Sequence, residues 1–293
     1  MLNLSVLNDY LTLCKPRVVL LMLVTAWVGM YLASPYAVPW AAVVFGTLGI
    51  ALAASSAAVF NHLIDRHIDL KMYRTATRPI ACKRISPRQA MLFACILAIS
   101  AGLILSIFVN ILTTILTFST ILGYAVVYSL YLKHATPQNI VIGGLSGAMP
   151  PLLGWAAVSG DVNPQALLLV LIIFAWTPPH FWALAIYRVK DYTKAQVPML
   201  PVTHGIAFTK LCLALYTFLL LAASLLPFAC QMAGRIYLLA ALILNGIFVY
   251  LALCLYNATG EREHRLAVRT FNYSIKYLFI LFSALLIDHQ FGV

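Results

Sequence analysis

Between Arg88 and Lys133 the chain carries no charged side chain. A stretch of that length exceeds what a buried helix of a soluble domain needs, and it suffices for two bilayer crossings of about 20 residues each. Only Asn110 punctuates it, giving predicted spans at 88–109 and 111–132, with a re-entrant hairpin as the alternative for this pair. Comparable charge-poor runs lie near 17–34, 40–62, 139–159, 164–187, 209–230, 235–256 and 270–288, which makes nine predicted helices in all. The 293 residues are 63% hydrophobic and 9% charged, where a soluble domain carries about 25% charged residues. The expected fold class is an all-α polytopic membrane protein, with residues 1–293 as a single integral-membrane domain.

The net charge of +11 would suit a nucleic-acid partner if it formed one patch, but its distribution excludes that. Lys15, Arg17, Arg66, Lys71, Arg74, Arg78, Lys83, Arg84, Arg88, Lys133, Arg188, Lys190, Lys194, Lys210, Arg262, Arg265 and Arg269 fall on alternate inter-helix loops; Arg235 takes the other side, and Lys276 lies within the last span. The positive-inside rule then predicts a cytoplasmic amino terminus and an external carboxyl terminus. No basic n-region with a small-residue cleavage site precedes the first span, so no cleavable signal peptide is expected. The six cysteines form no CxxC pair and read as reduced rather than as metal ligands or disulfides.

Chemistry concentrates where the second span ends. The stretch Asn61-His62-Leu63-Ile64-Asp65-Arg66-His67-Ile68-Asp69 follows an uncharged run from Trp40 to Phe60 and holds two of the chain's eight acidic residues. Asn61, Asp65 and Asp69 stand at i, i+4 and i+8, one face of a helix. They could be solvated helix-end residues offsetting a basic loop. The sharper reading is a Mg2+ site, because magnesium binds through one or two carboxylates and completes its shell with waters and substrate phosphate oxygens. Arg74 and Arg78 follow at helical spacing and suit the remaining phosphate charge. A second cytoplasmic loop, 188–208, echoes the first, 65–87, with Asp191 beside Lys190 and Lys194 and with prolines further on. Asp191 is either a partner for those cations and Arg188 or a further metal ligand. The echo predicts two four-helix halves plus a ninth helix, with both helix exits at one central cavity open to the cytoplasmic side.

Inside the sixth span, Trp176-Thr177-Pro178-Pro179-His180-Phe181-Trp182 predicts an opened helix, since each proline removes a backbone donor. His180 would bond a freed carbonyl or, more sharply, contact a substrate's iron or carboxylates; His62, His67, His134 and His204 are further candidates. Gly143 and Gly147, in a small-residue span that ends in two prolines, predict close helix packing or a surface for a flat ligand.

Several stretches together resemble the UbiA superfamily of intramembrane prenyltransferases, and within it the haem-modifying branch. They are Lys15-Pro16-Arg17, Asn61 to Asp69, Met72 to Pro79, Thr136 to Gly144, Gly147 to Trp155, Trp176 to Ala185, Asp191-Tyr192 and Pro198 to Val202. His62 stands where the superfamily's first motif usually has an aspartate, and Asp191 stands alone where the second usually has two or more. The resemblance implies a helical bundle in the bacterial inner membrane that moves the farnesyl group of farnesyl diphosphate to a vinyl group of haem B, with addition of water, giving haem O. It implies Mg2+ on Asp65, Asp69 and Asp191, with Asn61 orienting and with Arg74, Arg78, Lys190, Lys194, Lys15 and Arg17 around the diphosphate. His62 and His180 would meet haem, a substrate here, and a haem A synthase or terminal oxidase would take the product. The rivals are prenylation of a quinone precursor such as 4-hydroxybenzoate, which more acids in the second motif would have favoured, and secondary transport. Transport calls for ionisable groups near the bilayer midplane, whereas the acids here gather at helix ends.

Overall fold

The computed structural model describes residues 4–34, 37–73 and 75–291, with the side chain of His134 also left aside. Among the described residues every regular element is helical. In chain order they are α1 (Leu4–Leu13), α2 (Pro16–Leu32), α3 (Trp40–Asp69), α4 (Pro87–Phe108) and α5 (Ile111–Leu122). The α5 helix continues as a π-helical segment, Gly123–Leu132, before α6 (Lys133–Ala135), α7 (Asn139–Ala148), α8 (Pro150–Ser159) and α9 (Pro164–Tyr187). Then come α10 (Val189–Lys194), α11 (Leu200–Thr203), α12 (Gly205–Ala229), α13 (Arg235–Tyr256) and α14 (Gly260–Phe291).

Eight helices among the described residues are long and apolar enough to cross a bilayer, taking α5 with its π segment as one and α7 with α8 as another. The run at 88–132 resolves into two of them, α4 and α5. Asn110 makes the break, accepting from the Thr113 amide at 2.8 Å as the α5 cap while its Nδ2 donates to the Ala156 carbonyl at 2.8 Å. The run at 17–34 is α2, only 17 residues long. It reaches spanning length only together with α1, from which it bends by 49°, and counting that pair makes nine. The last span extends well before its predicted start, to Gly260, because Glu261 and Glu263 in its first turn favour the positive end of a helix.

The packing is the reverse of a soluble bundle's. On α4 the buried positions are Ala90, Ala94, Ala101 and Leu105, while Leu92, Ile96, Ile99, Leu103 and Ile107 are exposed. Lipid tails are as apolar as leucine, so small residues face inward where backbones must approach and bulky ones face the lipid.

The chain forms two compact units. The first comprises residues up to His134 with Met149–Val162 and Lys194–Gln196; the second takes Ala135–Ala148, Asn163–Thr193 and everything from Val197. The division departs from the predicted halves inside the span 139–159, where α7 belongs with the later helices and α8 with the earlier ones.

In the first unit, α2 and α8 cross almost backbone to backbone: a Cβ on Gly29 would lie 2.0 Å from the Pro151 carbonyl oxygen, and one on Gly154 would lie 2.0 Å from that of Ala26. The predicted role of Gly147 is not what the structure shows. Gly147 is exposed with open space around it, and the buried glycine of α7 is Gly144, whose Cβ would come within 2.9 Å of Thr177 in the second unit. A turn-rich segment at 70–85 follows α3, so Arg78 does not continue a helical register from Asp69 as the spacing suggested. Ile80 and Ile85 pin this segment against Leu13, Val59, Leu63, Ala90 and Ala94, and Arg84 ties it to Asp9 of α1 at 3.0 Å. A capping box at Ser86 and Gln89 then starts α4.

In the second unit, α9 runs through Pro178 and Pro179 without a break, contrary to the opened helix expected there. Polar side chains join α12, α13 and α14: Asn245 donates to Ser224 at 2.8 Å and accepts from the Tyr277 hydroxyl at 3.1 Å. Asp288 of α14 caps α13, accepting from the amides of Gly234, Ile236 and Tyr237. Lys210 closes the opposite end of α13 by donating to the Ala258 carbonyl at 2.7 Å and pairing with Glu263 at 2.7 Å.

The close α2–α8 crossing predicts that Gly154→Ala destabilises the protein by about 1–3 kcal/mol through overpacking, while Gly147→Ala is near neutral or slightly stabilising. Thermal unfolding of both variants in detergent checks this; equal melting temperatures would contradict the backbone contact.

Candidate active site

At roughly 1.5 Å per residue, the 30 residues of α3 run about 45 Å, against about 30 Å of bilayer hydrocarbon. The polar stripe therefore falls in the last turns of a helix that outreaches the apolar slab. Asn61, Asp65 and Asp69 are all buried there, at 5%, 3% and 1% exposure, so the solvated-end reading of this stripe fails. Burial of two carboxylates demands partners, and the first unit supplies three cations.

Asn61 is the hub. Its Oδ1 accepts from Lys15 Nζ at 2.7 Å, and its Nδ2 donates to Asp65 Oδ2 at 3.0 Å and to Ser129 Oγ at 3.3 Å. Lys15 reaches it from a left-handed backbone conformation, φ 50°, between α1 and α2. That region costs a non-glycine residue about 1–2 kcal/mol, and such strain gathers at functional positions. Asp65 Oδ2 also takes Lys133 Nζ at 2.6 Å, an ion pair with both side chains buried. Asp69 is held by Arg78 Nη1 at 2.8 and 2.9 Å, and its backbone carbonyl accepts from Thr75 at 3.0 Å.

Two groups in this cluster are unfinished. Asp65 Oδ1 is buried with no hydrogen-bond partner among the described residues, and so are both ring nitrogens of His62, a residue only 2% exposed. An orphaned carboxylate oxygen beside a second carboxylate suits a hard cation that keeps waters and phosphate oxygens in its shell. Among the described residues three basic side chains, Lys15, Lys133 and Arg78, stand against two carboxylates, a set that suits an anionic ligand. Among the described residues no three His, Cys, Asp or Glu side chains gather as a self-sufficient metal cage. The arrangement fits a Mg2+ that arrives with a phosphorylated substrate.

Lys133 and Ser129 were missed in the sequence, where Lys133 counted only as a topology charge. Its signal was present: it is the lone cation that closes an uncharged run. What could not be read is the π-helical winding of Gly123–Leu132, in which Ser129 Oγ donates to the Tyr124 carbonyl five residues back at 2.9 Å. Single π turns favour functional sites. Arg17 is exposed and makes none of the cluster's contacts, and Arg74 lies outside the described residues.

Most of the other predicted residues lie in the second unit, with His67 and Lys194 in the first. His180 is stacked between Trp176 (4.3 Å between ring centres) and Phe271 (4.7 Å), and its Nδ1 bonds the Ser274 hydroxyl at 2.6 Å. Trp176 donates to the Ser274 carbonyl at 2.8 Å. The histidine's partner is thus a serine of α14 rather than a carbonyl freed by the prolines. Asp191 is half-buried beside Arg188 at 3.5 Å, while Lys190 and Lys194 are exposed. His67 and His204 are exposed, and His204 is held by Thr203 at 2.8 Å.

Comparison with known proteins gives this geometry its family. The sequence profile of the UbiA prenyltransferase family matches residues 22–275. The chain belongs to the UbiA prenyltransferase family. Its UbiA-family relatives include a protein of Legionella pneumophila (strain Paris) named protoheme IX farnesyltransferase, 60% identical over 97% of this chain and 96% of that one. Another, of Pseudomonas fluorescens (strain Pf-5), is named protoheme IX farnesyltransferase 1; it is 58% identical over 97% of this chain and 94% of its own. Among solved structures, a digeranylgeranylglyceryl phosphate synthase shares the fold with a TM-score of 0.79 at 20% identity, over 97% of this chain and 98% of that one. A UbiA homologue from Archaeoglobus fulgidus bound to GPP and Mg2+ does so at 0.64 and 17%, over 94% and 99%.

The buried Asp65–Lys133 pair makes a prediction separable from activity. Lys133→Met should destabilise the protein by about 3–5 kcal/mol by stranding a buried carboxylate, and adding Asp65→Asn should recover most of that loss. Unfolding of the two single variants and the double variant measures the coupling; additive effects would deny it.

Proposed function

We propose that this chain transfers the farnesyl group of farnesyl diphosphate to a vinyl group of haem B, with addition of water, to give haem O and diphosphate. What carries the reading is the conjunction of the relatives' named activity, at 58–60% identity over nearly the whole chain, with a buried two-carboxylate, three-cation cluster in the first unit. Asp65 and Asp69 would hold Mg2+, with Asp191 kept as a further candidate ligand. When bound, the metal would neutralise charge on the leaving diphosphate.

This chain's residues do the rest. Lys15, Lys133 and Arg78 line the same cluster and stabilise the charge that builds on the diphosphate as its bond to farnesyl C1 breaks; Arg74, Lys190 and Lys194 are kept as further candidates for neutralising it. In this state Arg78 occupies both oxygens of Asp69, so loading requires an exchange in which Arg78 turns to phosphate and Asp69 to the metal. Asn61 keeps Asp65 oriented through that exchange. Farnesyl C1 then bonds the terminal vinyl carbon, water oxygen bonds the carbon next to the porphyrin, and one proton leaves. His62 and His180 are assigned to the haem side, and the amino terminus to the cytoplasm of a bacterial inner membrane, a reading that the basic loops support. The product would serve haem–copper terminal oxidases.

The test is mass analysis of haem after incubating purified protein with haem B, farnesyl diphosphate and Mg2+. A haem heavier by one farnesyl group and one hydroxyl group is expected, and EDTA should abolish it. Asp65→Asn and Asp69→Asn should each lower the rate about 100-fold or more in folded protein. In a parallel incubation with 4-hydroxybenzoate in place of haem B, a prenylated product there and no farnesylated haem would overturn the acceptor and leave the metal chemistry standing.

A further inference from the structure

The outer face of the α13–α14 hairpin carries a groove that the proposed reaction does not use. Tyr250, Leu253, Cys254 and Asn257 of α13 line it together with Arg262 of α14, around a cavity of about 270 Å3. The four α13 residues recur at i, i+3, i+4 and i+7, one face of the helix. That face is turned away from the protein: Leu251, Ala252 and Leu255 are buried, while Tyr250 is 64% exposed and Leu253 42%. In a chain that crosses a bilayer, such a groove opens on lipid.

Arg262 gives the groove its charge. Glu261 pairs with Arg265 at 3.2 Å and Glu263 with Lys210 at 2.7 Å, so both acids beside Arg262 are engaged elsewhere. Arg262 itself is exposed and makes no hydrogen bond or ion pair among the described residues. Arg265 and Arg269 follow at i+3 and i+7 and are exposed too, which gathers positive charge on one side of α14.

Depth orders the lining. The 22 residues of α13 run about 33 Å, close to the roughly 30 Å of bilayer hydrocarbon. The last turn of α13 therefore lies at the level of lipid headgroups. Asn257 and Arg262 stand there, and Tyr250 starts about 10 Å deeper, among the chains. A cationic mouth above an apolar trough matches the two parts of a phospholipid. An unpaired guanidinium favours a head with net negative charge over a zwitterionic one, whose own cation competes for the phosphate. A second copy docking by twofold symmetry would present the same basic face to itself.

We infer that this groove holds one anionic phospholipid, with its phosphate on Arg262 and an acyl chain along Tyr250, Leu253 and Cys254. The lipid bridges α13 and α14 at the end of the hairpin opposite the Asp288 cap. The inference goes beyond the haem reading and uses none of the residues assigned to that reaction.

The experiment is native mass spectrometry of the full-length protein in detergent, with phosphatidylglycerol or phosphatidylcholine of identical chains added in turn. Wild type should retain one phosphatidylglycerol about five-fold more strongly than phosphatidylcholine, the contribution of one arginine near a lipid surface. Its melting temperature should also rise more with phosphatidylglycerol. Arg262→Gln should lose both the preference and the extra rise, and Arg262→Lys should keep part of each. Leu253→Trp, which fills the trough and leaves the arginine in place, should weaken retention of both lipids. Equal retention of the two lipids by wild type overturns the inference, and so does an undiminished preference in Arg262→Gln. Full retention by Leu253→Trp overturns it as well, since the site would then hold a phosphate group and no chain.

Discussion

A carboxylate at the end of an apolar helix cannot remain buried and charged without a cation against it, and the first unit is organised around that requirement. Asp65 is met by Lys133, Asp69 by Arg78, and Asn61 by Lys15. Each partner comes from a different stretch of chain: the linker before α2, the turns after α3, and the end of the π-helical segment. Several separate features serve this one constraint. Lys15 accepts a left-handed backbone, the 70–85 segment is nailed down by Ile80 and Ile85, and α5 changes its winding before Lys133. The site is an assembled charge balance, three basic side chains against two carboxylates among the described residues.

The lipid sets the second constraint. With no hydrophobic force to press helices together, the units rely on contact area and hydrogen bonds. That is why alanine lines the inside of α4 while leucine and isoleucine cover its outside, and why Gly29 and Gly154 let α2 and α8 touch. In the second unit the same task falls to Asn245, Ser224, Tyr277 and Tyr237. Rigid scaffolding of this kind holds a cluster of charges in place where a looser bundle would let water in.

Much of this was legible in the sequence. Uncharged runs located the helices, and the i, i+4, i+8 spacing put Asn61, Asp65 and Asp69 on one face of α3, which the structure buries. Three things were hidden for physical reasons. Lys133 looked like any loop cation, because a π-helix has no spacing signature of its own. Gly147 resembled a packing glycine, but only the neighbouring helix decides which face of α7 is covered, and that face carries Gly144. Pro178 and Pro179 argued for an opened helix, yet stacking and hydrogen bonding of Trp176 and His180 against α14 hold α9 in helical form.

The Asp288 cap bears on how such a chain is made. The α13 helix emerges from the ribosome before α14 exists, so its first amide groups must cross into an apolar setting with no partner from their own helix. They are satisfied only when α14 arrives and brings Asp288 against Gly234, Ile236 and Tyr237. The native cap of one helix is thereby conditional on a later one, which ties the end of α13 to α14. Interrupted synthesis would leave an uncapped helix end, a mark by which quality control could tell an unfinished chain from a finished one.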